Sequence, residues 1–344
     1  MSRDSWLLER SRSIGGSDSP IILNGRIPIE FDHKFGSLHK VWASKAPVRE
    51  KYDLPEPSDA LHPIKDRRMI QGHKSEPICR EYIGQVNGAT ATECFEELYR
   101  RKGFPMLHGS IDGEMNIDGE VVGIEIKTLG TRAEWWSDGV PFRVELQSRH
   151  NWFCRPSLNR FIVCAFKTDD SIWDAIIRGA MTIEDGISTG MVKFGQWEIE
   201  KNDFYEEVCV PELVGFWKNY VATGKVPMAD STEECKKVLE SLYTENDGVI
   251  DADDELSNLI ERKLELDVEF KSIKKERDRV RNEMMRLIGS NNRANSEYGS
   301  VSISRVFSKR FNEDLFFEDN PDLKDKYVKE SSYCRVSISK KREG

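Results

Sequence analysis

The chain has 344 residues, 32% of them charged, and 51 Lys and Arg against 60 Asp and Glu leave it at net −9. That length suits one large domain plus an extension, or two domains. No apolar run approaches the roughly 20 residues of a membrane-spanning helix. Residues 1–13 hold no sustained apolar core, so no signal peptide is expected. The seven cysteines, Cys79, Cys94, Cys154, Cys164, Cys209, Cys235 and Cys334, are scattered and never form a C-x-x-C pair. This speaks against a disulfide framework, a zinc knuckle or an iron–sulfur site, and for a reducing cytoplasm. The acidic balance weakly opposes nucleic-acid binding by the whole chain, but local basic grooves decide that question.

In chain order, Trp6, Leu7 and Ile14 are expected core anchors. A Gly15-Gly16 turn leads to Ser17-Asp18, either of which can cap a helix over Ser19–Leu23. Such a helix start suits an anion, with Arg10 and Arg12 nearby, although an ordinary cap with solvated arginines explains the same residues. A helix over Lys34–Ser44 and a long polar loop precede Gln71-Gly72-His73. Glu76 is expected in or near the first turn of the following helix, where Ile78, Tyr82 and Ile83 fall at helical spacing. Trp135–Pro141 reads as an aromatic loop and Arg143–Phe153 as a helix. Phe161–Phe166 has the continuous apolar character of a buried strand, and Trp173–Ile177 and Gln196–Ile199 suggest two more. Val208–Thr223 reads as an amphipathic helix.

Composition shifts near Gly224, which sets an expected division into residues 1–228 and 229–344. Beyond it lie a short helix, Glu233–Tyr243, and a long one, Glu255–Ile288. The long helix carries Leu259, Leu266, Ile273, Val280 and Leu287 at seven-residue intervals. That stripe points to packing, within the protein or against a copy of itself, in preference to a free-standing coiled coil. The tail suggests strands at Val301–Val306 and Tyr333–Ser339 with a helix near Asn312–Glu318. Its Arg305, Lys309, Arg310, Arg335, Lys340 and Lys341 form the nearest thing to a basic patch, read as a solvated face.

The most informative stretch is His108–Thr128. Asp118-Gly119 is a hairpin turn signal, which would fold Asp112 back beside the strand Val122–Thr128. Strand alternation puts Glu125 and Lys127 on one face and Ile124 and Ile126 on the other. Two carboxylates and one lysine converging on an exposed strand end could hold a hard divalent cation and activate water. Alone, an Asp followed by Glu-x-Lys is a weak pattern.

Its company is more specific. Trp6-Leu7, Arg10 and Ile14-Gly15-Gly16-Ser17-Asp18 come first, followed by Gln71-Gly72-His73 with Glu76-Pro77, then Ser110 and Asp112-Gly113. Gly123, Glu125-Ile126-Lys127-Thr128, Gln147 and His150 complete the series. In this order over roughly residues 6–220, they resemble the YqaJ-type viral recombinases, relatives of phage lambda exonuclease within the PD-(D/E)xK nuclease superfamily. In the tail, Arg310-Phe311, Pro321-Asp322-Leu323, Lys326-Tyr327, Ser331-Ser332 and Arg335 extend the likeness. Arg149 departs from it, standing where the family often has a second glutamine.

The resemblance implies an α/β fold: a restriction-endonuclease-like core, its central mixed sheet flanked by helices, with a helical and small-stranded C-terminal extension. It implies a magnesium-dependent 5′-to-3′ exonuclease on linear double-stranded DNA, with Mn²⁺ as a substitute ion. A ring-shaped homotrimer, a single-strand annealing protein as partner, and a phage or mobile-element origin in a bacterial cytoplasm complete the picture. Asp112, Glu125 and the Ile126 carbonyl would be the metal ligands, with Asp112 able to bridge a second ion. Lys127 would favour hydroxide and neutralise transition-state charge, and Glu76 and Gln147 would orient water or metal. Arg10 and Ser17 would hold a terminal 5′-phosphate, while His73, His108 and His150 are expected to be structural. Two other readings stand beside it: a RecB-like nuclease of other polarity, and a catalytically silent DNA-binding assembly subunit.

Overall fold

The computed structural model describes residues 3–31, 36–56, 67–94, 97–243, 248–305, 307 and 313–323. The chain divides into two compact units, Met1–Leu242 and Tyr243–Gly344. The first unit runs beyond the expected boundary at 228, because helix Glu233–Leu242 packs on helix Leu38–Ala43 and buries Cys235.

The first unit is built on a four-stranded mixed sheet. Strand β1 (Gly113–Ile117) pairs antiparallel with β2 (Glu120–Leu129), β2 runs parallel to β3 (Arg160–Lys167), and β3 pairs antiparallel with β4 (Lys193–Glu198). The β1–β2 turn is the expected one: Asp118 and Gly119 have φ of 53° and 86°, positive at both central residues as a two-residue hairpin requires. The parallel β2–β3 pair needs a crossover, and helix Phe142–Cys154 supplies it.

Alternation along β3 assigns its two faces. Ile162, Cys164 and Phe166 pack with Cys79 and Ile83 of the long helix Arg67–Val86 and with Trp173 and Ile176. Phe161, Val163 and Ala165 pack with Val144 and Trp152 of the crossover helix. Both faces are therefore covered, which is why this strand reads as an unbroken apolar run. A third core joins the N-terminal helices to the helical segment 205–221, in which Val210–Phe216 is α-helical between π-helical turns.

The sequence expectations need several corrections. Trp173–Ile177 is helical, within Asp170–Ile177, because the Asp169 side chain accepts hydrogen bonds from the Ser171 and Ile172 amides and caps a helix there. A capping box between Thr182 and Asp185 starts a further helix, Ile183–Ser188. Of the expected helix Lys34–Ser44, residues 34 and 35 lie outside the described residues; helix Leu38–Ala43 starts at an Ser37 cap, and a second helix, Ala46–Tyr52, occupies part of the expected loop.

In the second unit, helix Asp254–Ile288 begins at an Asp253 cap, as its period suggested. Leu259, Leu266, Ile273, Val280 and Leu287 are all exposed. A hairpin follows, Arg293–Ser296 with Gly299–Ser302, and then helix Glu313–Asp319. The expected strand Tyr333–Ser339 and most of the tail's basic residues and motifs lie outside the described residues. No helix among the described residues is long and apolar enough to cross a membrane.

Candidate active site

The site forms at the start of β1, where β2 continues past it. The Asp112 amide donates to the Ile124 carbonyl at 3.1 Å, closing the β1–β2 ladder. One step further along β2, the Ile126 amide donates instead to Asp112 Oδ2 at 2.6 Å. The carboxylate thus takes the place of a missing strand partner and is fixed in direction. In an extended strand the N–H and C=O of one residue face the same edge. The Ile126 carbonyl therefore projects to the same open edge as Asp112.

Glu125 lies against the crossover helix and is only 2% exposed. It is a buried carboxylate rather than one at an exposed strand end, so it needs partners for its lone pairs. Lys127 Nζ lies 2.5 Å and Gln147 Nε2 2.6 Å from Oε1, and Asn151 Nδ2 lies 3.2 Å from Oε2. Lys127 Nζ also donates to Gln147 Oε1 at 3.1 Å. Glu125, Lys127 and Gln147 accordingly form one closed triangle of hydrogen bonds.

Glu76 sits in the middle of its helix rather than near its start. The helix begins at Arg67, and Pro77 is accommodated inside it at the cost of one amide donor. Glu76 is held by Arg80 one turn on, at 2.9 Å, and the same arginine donates from Nε to the Asp112 carbonyl at 2.8 Å. Gly113 makes that approach possible, since a Cβ there would stand 2.8 Å from the Thr92 carbonyl and 3.0 Å from Arg80 Cδ.

The electrostatics are those of a site with too many carboxylates. Burial, then Glu125 and Glu76, push Asp112 well above the usual carboxylate range. Burial, and to a lesser degree Glu125, raise Glu76 against the pull of Arg80. Burial pulls the Lys127 ammonium down, but Glu125 and Asp112 more than offset this and leave it above its ordinary value. Lys127 is therefore a firm cation, and a divalent ion would relieve the remaining crowding of negative charge.

The Gly15-Gly16 loop adjoins this site through close packing. A Cβ on Gly16 would lie 2.3 Å from Asn151 Oδ1, and one on Gly15 would lie 2.7 Å from His108 Nε2. Only glycine lets this loop rest against the helix that carries Gln147 and Asn151. Arg10 Nη2 donates to Ser17 Oγ at 3.2 Å, bringing the two expected phosphate contacts together. Neither Ser17 nor Asp18 caps the short helix Ser19–Leu23 in the expected way. Asp18 instead accepts from the Gly15 amide at 3.0 Å and from Lys45 Nζ at 2.6 Å. Burial alone would raise its carboxyl, but Lys45 and Arg10 pull it down to about 2.

The histidines are divided between core and surface. His150 bridges the Tyr205 hydroxyl and the His108 carbonyl, and His108 Nδ1 pairs with Ser13 Oγ. His73 is exposed on the Arg67–Val86 helix. Arg149 pairs with Glu145 at 2.9 Å and donates to the Glu200 carbonyl, which gives it a structural task outside the triangle.

No protein-family model matches the sequence. Among curated proteins, the uncharacterised YqaJ of Bacillus subtilis (strain 168) is 21% identical over 350 residues, covering 98% of this chain and 94% of its own. The similarity runs along nearly the whole length of both chains. That agrees with the family resemblance read from its motifs. Among solved structures, the alkaline exonuclease LHK-Exo of Laribacter hongkongensis aligns at 13% identity and TM-score 0.43, over 65% of this chain and 94% of that one. The same enzyme in complex with dAMP aligns at 15% identity and TM-score 0.41, over 64% and 93%. The four-stranded mixed sheet with helices over both faces is the α/β architecture that the sequence led us to expect.

Three residues at the site escaped the sequence reading: Asn151, Arg80 and Lys45. Asn151 lies four residues after Gln147, and Arg80 four after Glu76. Each therefore shares a helix face with a residue already singled out, a signal that spacing offered. Lys45 meets Asp18 across 27 residues, and no local pattern announces that pairing.

Proposed function

We propose that this protein is a metal-dependent deoxyribonuclease that digests linear double-stranded DNA from the 5′ end, leaving 3′ single strands for annealing-type recombination. The observation that carries the reading is the joining of two sites through one asparagine. Asn151 holds the buried Glu125 and also packs against the Gly-Gly loop beside Arg10 and Ser17.

The donor set fits a hard cation: two carboxylates, Asp112 and Glu125, and a main-chain carbonyl, Ile126, all oxygen, with Glu76 near enough to act through water. Mg²⁺, or Mn²⁺ in its place, would supply charge against the phosphate oxygens and a more acidic water. The chain's own residues do the rest. Lys127 brings a fixed positive charge to the scissile phosphate as negative charge accumulates there during attack by water. Gln147 holds Lys127 and Glu125 in register, so neither has to reorganise as the bond to the 3′-oxygen breaks. Arg10 and Ser17 bind the terminal 5′-phosphate by charge-assisted hydrogen bonds. This places the first phosphodiester at the carboxylates and makes a phosphorylated 5′ end the preferred substrate.

By resemblance, the working assembly is a homotrimeric ring partnered with a single-strand annealing protein. The test is digestion of linear duplex carrying either a 5′-phosphate or a 5′-hydroxyl, with Mg²⁺ or with EDTA. The expected result is metal-dependent release of nucleotides from the 5′ end, faster on the phosphorylated end. Cleavage that survives EDTA would overturn the metal chemistry, release from the 3′ end would overturn the polarity, and equal rates on both ends would remove Arg10 and Ser17 from the phosphate role.

A further inference from the structure

A second cluster of ligand-type side chains lies on other elements of the first unit. His39 comes from helix Leu38–Ala43, Asp230 from the loop before helix Glu233–Leu242, and Cys235 from the first turns of that helix. One donor atom from each lies within 4.8 Å of the other two, and among the described residues no other such group of three appears.

The decisive feature is His39. Its side chain is fully buried, and neither ring nitrogen reaches a partner at good hydrogen-bond geometry, although the Pro227 main chain lies beside the ring. Buried polar atoms without partners are uncommon and call for an explanation. Nδ1 stands 3.9 Å from Asp230 Oδ2, too far for a hydrogen bond but close to the spacing of two ligands on one ion. In a tetrahedral zinc site with bonds of about 2.0–2.3 Å, neighbouring ligand atoms are about 3.3–3.8 Å apart. Side-chain rotations of under about 1 Å would therefore close the present triangle around an ion.

We propose that His39, Asp230 and Cys235 form a second, structural metal site for a borderline-soft transition ion, best Zn²⁺, with solvent in the fourth position. The donor chemistry separates it from the nuclease centre: imidazole, thiolate and carboxylate suit Zn²⁺, whereas an all-oxygen set suits Mg²⁺. Cys235 is 1% exposed, while the Asp230 side chain is about one-third open, so an ion and its remaining water would enter from the aspartate side. Asp230 is also held in place, accepting from Ser37 Oγ at 2.9 Å and from the Thr232 amide at 2.9 Å. Those two residues precede the two helices, so a bound ion would join both helix starts. The spacing argument against a zinc knuckle fails here because the site uses a single cysteine and assembles across nearly 200 residues. The cation would displace the thiol proton to solvent on binding.

The test uses the full-length, tag-free chain, stripped with EDTA, dialysed and titrated with Co²⁺ under anaerobic conditions. The expected result is a thiolate-to-cobalt charge-transfer band that saturates at one equivalent and is lost on adding Zn²⁺. The band should be absent in Cys235→Ser, at least tenfold harder to saturate in His39→Gln, and unchanged in Asp112→Asn, whose site holds no sulfur. Zn²⁺ should raise the melting temperature of the wild type and of Asp112→Asn by several degrees. Either of two outcomes would overturn the proposal: a folded wild-type chain giving no charge-transfer band in tenfold excess Co²⁺, or a band that persists in both Cys235→Ser and His39→Gln.

Discussion

At the scale of single residues, the account rests on orientation more than on residue type. Glu125 and Lys127 were legible because a period of two places them together on any strand. The burial of Glu125 was not, since it depends on the crossover helix arriving over it from twenty residues away. Asn151 marks the difference in practice. Asn151→Ala removes a hydrogen bond to a buried carboxylate, which costs on the order of 1–3 kcal/mol. We expect a roughly tenfold lower turnover with substrate binding nearly unchanged, measured as kcat and KM on linear duplex. His150 gives a residue-scale pH prediction. Burial lowers it to about 4, below the ordinary value of about 6.5 in the unfolded chain. The unfolded state therefore binds the proton more readily, so the stability from neutral His150 is complete above about 6.5. It falls away as the pH drops toward 4, by on the order of 3 kcal/mol. An imidazole NMR titration should place the His150 midpoint near 4; a midpoint near 6.5 would contradict the buried assignment.

At the scale of elements, the strands of the centre and the crossover helix were readable from apolar period and turn chemistry. The Asp118-Gly119 hairpin needed only its two turn residues, and β3 only its continuous apolar run. Trp173–Ile177 misled because a short segment of mainly apolar residues, broken here by Asp174, does not distinguish helix from strand. The Asp169 cap decided it, and a cap is read from one residue. Glu76 was displaced for a similar reason: the helical spacing of Ile78, Tyr82 and Ile83 put the helix start near it, but the helix begins at Arg67 and tolerates Pro77 well inside. Packing between elements gives a further prediction. A Cβ on Gly123 would stand 2.8 Å from Leu158 Cδ1 and 2.9 Å from Phe161 Cδ2. Gly123→Ala should therefore lower the unfolding free energy by about 1–3 kcal/mol. Urea denaturation with an unchanged m-value would show this. A neutral substitution would mean that β2 and its cover are more loosely packed than the geometry indicates.

At the scale of the whole molecule, net charge says little, because the proposed site depends on a local crowding of carboxylates around Lys127. The shift in composition near Gly224 set the expected boundary at 228, whereas the first unit runs on to Leu242. Helix Glu233–Leu242 is strongly charged, but Cys235, Val238 and Leu242 attach it to the first unit's core. The exposed stripe from Leu259 to Leu287 kept its expected period. Light scattering of the purified chain should give three times the mass of one copy if the assembly is a homotrimer, and a single-chain mass would remove the ring from the account.

In the proposed reaction Lys127 supplies the positive charge for phosphodiester cleavage at Asp112 and Glu125. The most direct measurement is single-turnover digestion of 5′-phosphorylated linear duplex with saturating Mg²⁺, comparing wild type with Lys127→Ala at equal DNA binding and equal folded fraction. Loss of one preorganised charge donor should slow the chemical step by about 10²–10³. A variant that binds DNA normally and cleaves it at the wild-type rate would contradict the account.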